Sequence, residues 1–192
     1  MKPAQFLPID LSGVTYGPSL LGLNGTTLDD SPELEAFRAG LSRPALRDFF
    51  DLYLDRVAAL GRLPCKNEFG PQVMRAHLGY VGLAETVENG DDGALDVVIR
   101  LAGTRLVDFI GAEIRGMSVA RLFRRPPGFV AQLWTPLFRE GRPRLDAGNL
   151  GPLARPHVDY IAVHVPLTDA EGRVRFAAFR SIFSLDGGRT WC

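Results

Sequence analysis

Apolar residues along this chain recur first with a helical period and then with an alternating one. Between Ser42-Arg43-Pro44 and about Leu60, the residues Leu46, Phe49, Phe50, Tyr53, Leu54 and Val57 return three and four positions apart, which marks one apolar helical face closed by Gly61. Leu63-Pro64-Cys65-Lys66 is a turn, and a second, shorter helix is predicted over 70–78. After Gly79 the period becomes two, and strands are predicted over 80–87 and 95–102, joined by the turn Glu88-Asn89-Gly90-Asp91-Asp92-Gly93. Gly103-Thr104 breaks the second strand. Short helical pieces follow over 105–110 and 119–123, then a longer helix over 128–140 that Pro136 should kink or start early. Strands over 144–150, 158–167 and 174–185 complete the pattern, the last two joined by Asp169-Ala170-Glu171-Gly172. Antiparallel strands with helices gathered on one side make an α+β layer fold with a five-stranded sheet.

Residues 1–43 are punctuated by Gly, Pro, Ser, Thr and Asn, and bury too little apolar surface to offset their ordering entropy. They are expected to be partly flexible, apart from a short helix capped by Ser31 with Pro32, Glu33 and Glu35 in its first turn. The chain thus divides into an N-terminal extension (1–43), a helical cap (44–78), the α+β domain (79–186) and a tail (187–192).

Strand parity sorts the sheet into two faces. Leu95, Val97, Ile99 and Leu101 share one, and Ile161, Val163, Val165, Leu167, Phe179 and Phe183 are assigned to it. This set should meet Phe129, Leu133, Trp134 and Phe138 of the long helix. The opposite parity carries Val98, Arg100, Tyr160, Ala162, His164, Phe176, Ala178 and Arg180, too oily to stand in water. The 46–57 helix, from the same chain or from a second subunit, is the cover to expect. A β-bulge would swap parity within any strand.

Composition narrows the function. Lys plus Arg equals Asp plus Glu at 22 each among 192 residues, so bulk charge does not hold this chain to nucleic acid. No apolar run approaches the roughly 18–20 residues that cross a bilayer, and the start, with Lys2, Pro3 and Pro8, lacks the apolar core of a secretory signal. Cys65 and Cys192 form neither a disulfide framework nor a metal pair, which fits a reducing cytoplasm. Nucleotide-binding glycine loops, the serine-nucleophile elbow and zinc-binding histidine spacings are missing. His157 and Asp159 share a strand face, a pairing able to orient an imidazole for base catalysis. Tyr160 and His164 lie on the other face, so the histidines are not a joint metal site. Arg121, Arg124 and Arg125 beside Pro126-Pro127 offer either an anion contact or a solvated loop.

The element order, with Leu63-Pro64-Cys65-Lys66, Pro71, Ile99-Arg100-Leu101-Ala102-Gly103-Thr104, Gly111 with Gly116, and Val165-Pro166-Leu167, resembles the single-domain bacterial PAS family with a leading helical segment. Cys65-Lys66 and Ile99 depart from that pattern, which has Ser-Arg and an aromatic there. The resemblance covers about 44–185 and implies a stand-alone, cytoplasmic sensory or protein-interaction module without enzymatic activity. It also implies a ligand pocket between sheet and helices, assigned to Ile99, Leu101, Trp134, Phe138, Val163 and Phe179. A homodimer is expected through Leu46, Phe49, Phe50, Tyr53 and Val57, with a signalling protein such as a histidine kinase as partner. Haem is disfavoured because 128–140 holds no histidine, and photoactive flavin because neither cysteine lies in a suitable helix. The rival readings are a small α+β isomerase or hydratase using His157 with Asp159, and a structural dimer with a filled core.

Overall fold

The computed structural model describes residues 13–22, 31–89 and 94–192. In chain order the elements are β1 (Val14–Tyr16), α1 (Pro32–Gly40), α2 (Pro44–Leu60), a 3-10 turn (Arg75–Tyr80), β2 (Val81–Asn89) and β3 (Ala94–Ala102). Then come α3 (Thr104–Ile110), α4 (Val119–Leu122), α5 (Pro127–Glu140), β4 (Arg144–Leu150), β5 (Arg155–Thr168) and β6 (Val174–Ser184). The predicted 70–78 helix is a run of turns leading into that 3-10 segment. Gly90 to Gly93 of the predicted turn lie outside the described residues.

The helices end where local chemistry says they should. The Ser31 hydroxyl accepts from the Leu34 N–H at 3.3 Å at the start of α1. Gly61 and Gly141 close α2 and α5 in the left-handed conformation at φ 64° and 62°. Pro136 sits inside α5 without ending it.

Among the described residues the sheet is antiparallel with six strands in the order β1-β4-β5-β6-β2-β3, one more than the pattern predicts. The extra strand comes from the extension. Three residues of β1 pair with β4, Tyr16 opposite Arg144, and the Tyr16 hydroxyl donates to the Leu133 carbonyl at 2.6 Å. The described parts of the extension are anchored in the core, with Leu20, Leu34, Phe37 and Leu41 all buried. A strand this short carries no periodic signal, which is why alternation does not reveal it.

Each face of the sheet has its own core. On one, α1 and α2 bury Phe37, Leu46, Phe49, Phe50, Tyr53 and Val57 against Val163, Val165, Leu167, Phe176 and Ala178. On the other, α3, α4 and α5 pack Leu106, Leu122, Trp134 and Phe138 against Val97, Ile99, Phe179 and Phe183. Helices therefore cover both faces rather than one. The stripe expected as a dimer interface, Leu46, Phe49, Phe50, Tyr53 and Val57, is buried in its own chain, because the apolar face of β5 and β6 needs that cover. Among the described residues no helix is long and apolar enough to cross a membrane.

Two parity assignments change. Ile161, Val163, Val165 and Leu167 do share a face, but it meets α2 and not α5. In β3 the register slips opposite Leu83/Ala84, so that Ile99 pairs with Ala84 while Leu101 pairs with Leu83. That bulge takes Leu101 off the α5 side and leaves it 39% exposed on the edge strand.

Candidate functional site

Swapping the face of β5 creates space. Opposite Trp134 this strand presents Ala162 and His164 rather than a row of valines, so the α5 side of the sheet is underfilled. A cavity of about 450 Å³ opens there, within the usual range for small-molecule sites. Its apolar wall includes Ile99, Leu106, Leu122, Val130, Trp134 and Phe179. Of the six residues assigned to a pocket from sequence, Ile99, Trp134 and Phe179 line this cavity. Phe138 is buried in the same core, stacked on Trp134 at 5.7 Å, but does not reach the cavity surface. Val163 lies on the far side of the sheet and Leu101 at its edge, for the reasons of parity and bulge given above.

The floor is polar. Arg144 and Asp146 alternate along β4 and so share a face, and the register sets His164 of β5 opposite Arg144. Nη2 of Arg144 donates to Oδ2 of Asp146 at 3.0 Å. Nε2 of His164 stands 2.6 Å from Oδ1 of Asp146, close but off the line of a good hydrogen bond. The three side chains are only 5%, 11% and 7% exposed in the order Arg144, Asp146, His164. The Arg144 guanidinium lies 4.1 Å from the Trp134 ring and donates to the Leu133 carbonyl at 3.3 Å. His164 meets Trp134 edge-on at 5.0 Å and tilts against Phe179 at 5.3 Å.

Burial sets the charge state of this floor. It pushes the Asp146 carboxyl up, but the adjacent Arg144, then His164, outweigh it and hold the carboxyl well below its ordinary value. Burial lowers the His164 imidazole, Asp146 pulls the other way and Arg144 adds to the lowering, so the ring is neutral near pH 7. Burial also raises the Tyr160 phenol, which lines the cavity beside Ser181. At the more exposed end stand Asn149, Pro152 and Arg125, the last placed 5.7 Å from the Phe129 ring.

The floor is absent from the sequence reading. Its available signal was the pair Arg144 and Asp146, two charges on one face of a strand that pairs on both sides. The His157 and Asp159 pairing does not reach the cavity: His157 is exposed, and Asp159 accepts from the Asn149 amide at 2.8 Å. Among the described residues no group of three or more metal-ligating side chains converges.

Residues 41–127, from α2 to the start of α5, match the family model described as a PAS domain. No curated protein matches the chain. Among solved structures it is similar to an IcIR transcriptional regulator from Alicyclobacillus acidocaldarius, at 15% identity over 83% of this chain and 65% of that one, with a TM-score of 0.29. It is also similar to Pseudomonas aeruginosa HmgR, at 21% identity over 82% of this chain and 70% of that one, with a TM-score of 0.22. Superpositions this loose carry no functional argument, whereas the family match and the α+β sheet agree with each other. Residues 41–127 thus carry the likeness to a PAS domain, and the general role this supports is that of a sensory module in signal transduction.

Proposed function

We propose that this chain is a cytoplasmic, non-enzymatic sensor that holds a small, mainly apolar ligand between its sheet and α3–α5. The observation that supports this reading is the cavity of about 450 Å³ with an apolar wall and a buried polar floor. Apolar walls supply affinity, and a few convergent polar groups fix orientation. A ligand signals only if it binds one conformation better than another. Gly111 and Gly116, both at positive φ, lie between α3 and α4, and on this reading the α3–α5 wall is the part that responds. Its changed surface would meet a signalling partner such as a histidine kinase. The dimer stripe on α2 has no role in this reading, because the chain's own sheet covers it. The enzyme alternative needs His157 and Asp159 inside the cavity, and neither lines it.

The test is native mass spectrometry of protein purified from a bacterial cytosol, before and after denaturation. A bound small molecule released on unfolding is the expected result. Protein free of added mass, with no gain in thermal stability from a library of apolar metabolites, would reject the sensor reading and leave a protein-interaction module.

A further inference from the structure

The cavity floor carries more hydrogen-bonding capacity than the chain satisfies. Among the described residues, Oδ1 of Asp146 and Nε2 of His164 have only each other, 2.6 Å apart and poorly aligned, while Nε of Arg144 and Nδ1 of His164 are buried without a hydrogen-bond partner. Folded proteins pair nearly all such atoms, and each one left over calls for an explanation. All three residues line the cavity, so a ligand head group is the partner that would complete them.

The charges and protons define that head group. Arg144 and Asp146 neutralise each other at 3.0 Å. The carboxylate 2.6 Å from Nε2 of His164 favours the tautomer with its proton there, which leaves Nδ1 as a bare acceptor. The floor therefore presents one N–H donor, on Arg144, and one acceptor, on His164, with no net charge. A carboxylate or an ammonium placed on it would bring an unbalanced charge into a buried site. Arg125, the other guanidinium lining the cavity, is half-buried beside Phe129 and so more screened by solvent than the floor.

We propose that the cavity selects a neutral ligand with an aromatic or apolar body and a head that both donates and accepts hydrogen bonds, as an amide or a phenol does. The head donates to Nδ1 of His164 and accepts from Nε of Arg144, and the body packs against Trp134 and Phe179. This inference rests on the reading of the cavity as a ligand site.

Toluene, benzamide and benzoate share a shape and differ only in the head, so they serve as probes in an NMR titration at pH 7.5 that follows the Trp134 indole N–H. Benzamide is expected to bind at least about tenfold more tightly than toluene or benzoate. In Asp146→Asn the floor gains a positive charge, and the order of benzamide and benzoate should invert. If that variant does not fold, the wild-type ranking decides alone. Benzoate equal to or ahead of benzamide in the wild type, benzamide no better than toluene, or a folded Asp146→Asn with unchanged order would overturn the inference while leaving the cavity as a ligand site. No response to any probe would remove the ligand site itself.

Discussion

Gly103, between β3 and α3, tests whether close backbone packing rather than backbone freedom keeps a glycine in this fold. Its φ of −66° and ψ of 156° are open to any residue, so backbone entropy alone predicts that Gly103→Ala stabilises, by roughly 0.4–1 kcal/mol. Space predicts the opposite. A Cβ there would stand 2.3 Å from the Leu78 carbonyl oxygen, 2.5 Å from that of Gly79 and 2.7 Å from the Gly79 carbonyl carbon. These atoms are backbone and cannot swing aside. The Gly103 N–H is also tied to the Val81 carbonyl at 2.8 Å, so relief requires moving the start of β2 away from the end of β3. An added methyl in a packed site costs roughly 1–3 kcal/mol, and rigid obstacles put this one in the upper half. Subtracting the entropic gain leaves a net loss of about 2 kcal/mol. With a urea m-value of about 2 kcal/mol/M, the unfolding midpoint should fall by about 1 M with m unchanged. Gly40→Ala is the control, since a Cβ there meets nothing within 4 Å. It should leave the midpoint unchanged or raise it. A Gly103→Ala protein as stable as the wild type would refute the packing argument.

Two further tests address the two cores. Burial lowers both His164 and His77, the latter also through repulsion from Arg180, so the unfolded chain binds more protons than the folded one as pH falls through the ordinary histidine range. Stability should therefore decline from pH 7.5 to pH 5, and thermal melts should show a slope flattened more by His164→Asn than by His77→Asn; a melting temperature independent of pH would contradict the assignment. Tyr53→Phe removes a buried hydroxyl that donates to the Pro166 carbonyl at 2.8 Å while keeping the ring contacts to Phe50 and Phe69. It should cost about 1–2 kcal/mol in urea unfolding, with an unchanged midpoint as the contrary result.

Local chemistry was legible in the sequence wherever a residue acts through its neighbours in the chain. The α2 helix follows from its three-and-four spacing and Gly61, and five strands fall within a few residues of their alternating runs. The family resemblance is matched over residues 41–127 for the same reason, since its motifs there mark turns and strand ends. What failed was each inference that required a partner. β1 exists because β4 offers it an edge, and no three-residue segment announces that. Leu101 changed sides because two residues of β3 face one of β2, a property of the pair.

The largest correction is the face of β5. Alternation correctly grouped Ile161, Val163, Val165 and Leu167, but which helix they meet is decided by volume. The aromatic stripe of α2 needs a continuous apolar bed, and giving it the valines turns Ala162 and His164 toward Trp134. The sequence by itself determined the elements, their ends and which residues share a face, because these depend on steric periods that repeat along one chain. Only the tertiary structure decided which faces meet, and with that where the cavity opens and why Arg144, Asp146 and His164 form its floor. Those outcomes depend on how the shapes of different segments fill space together, and no single segment encodes that.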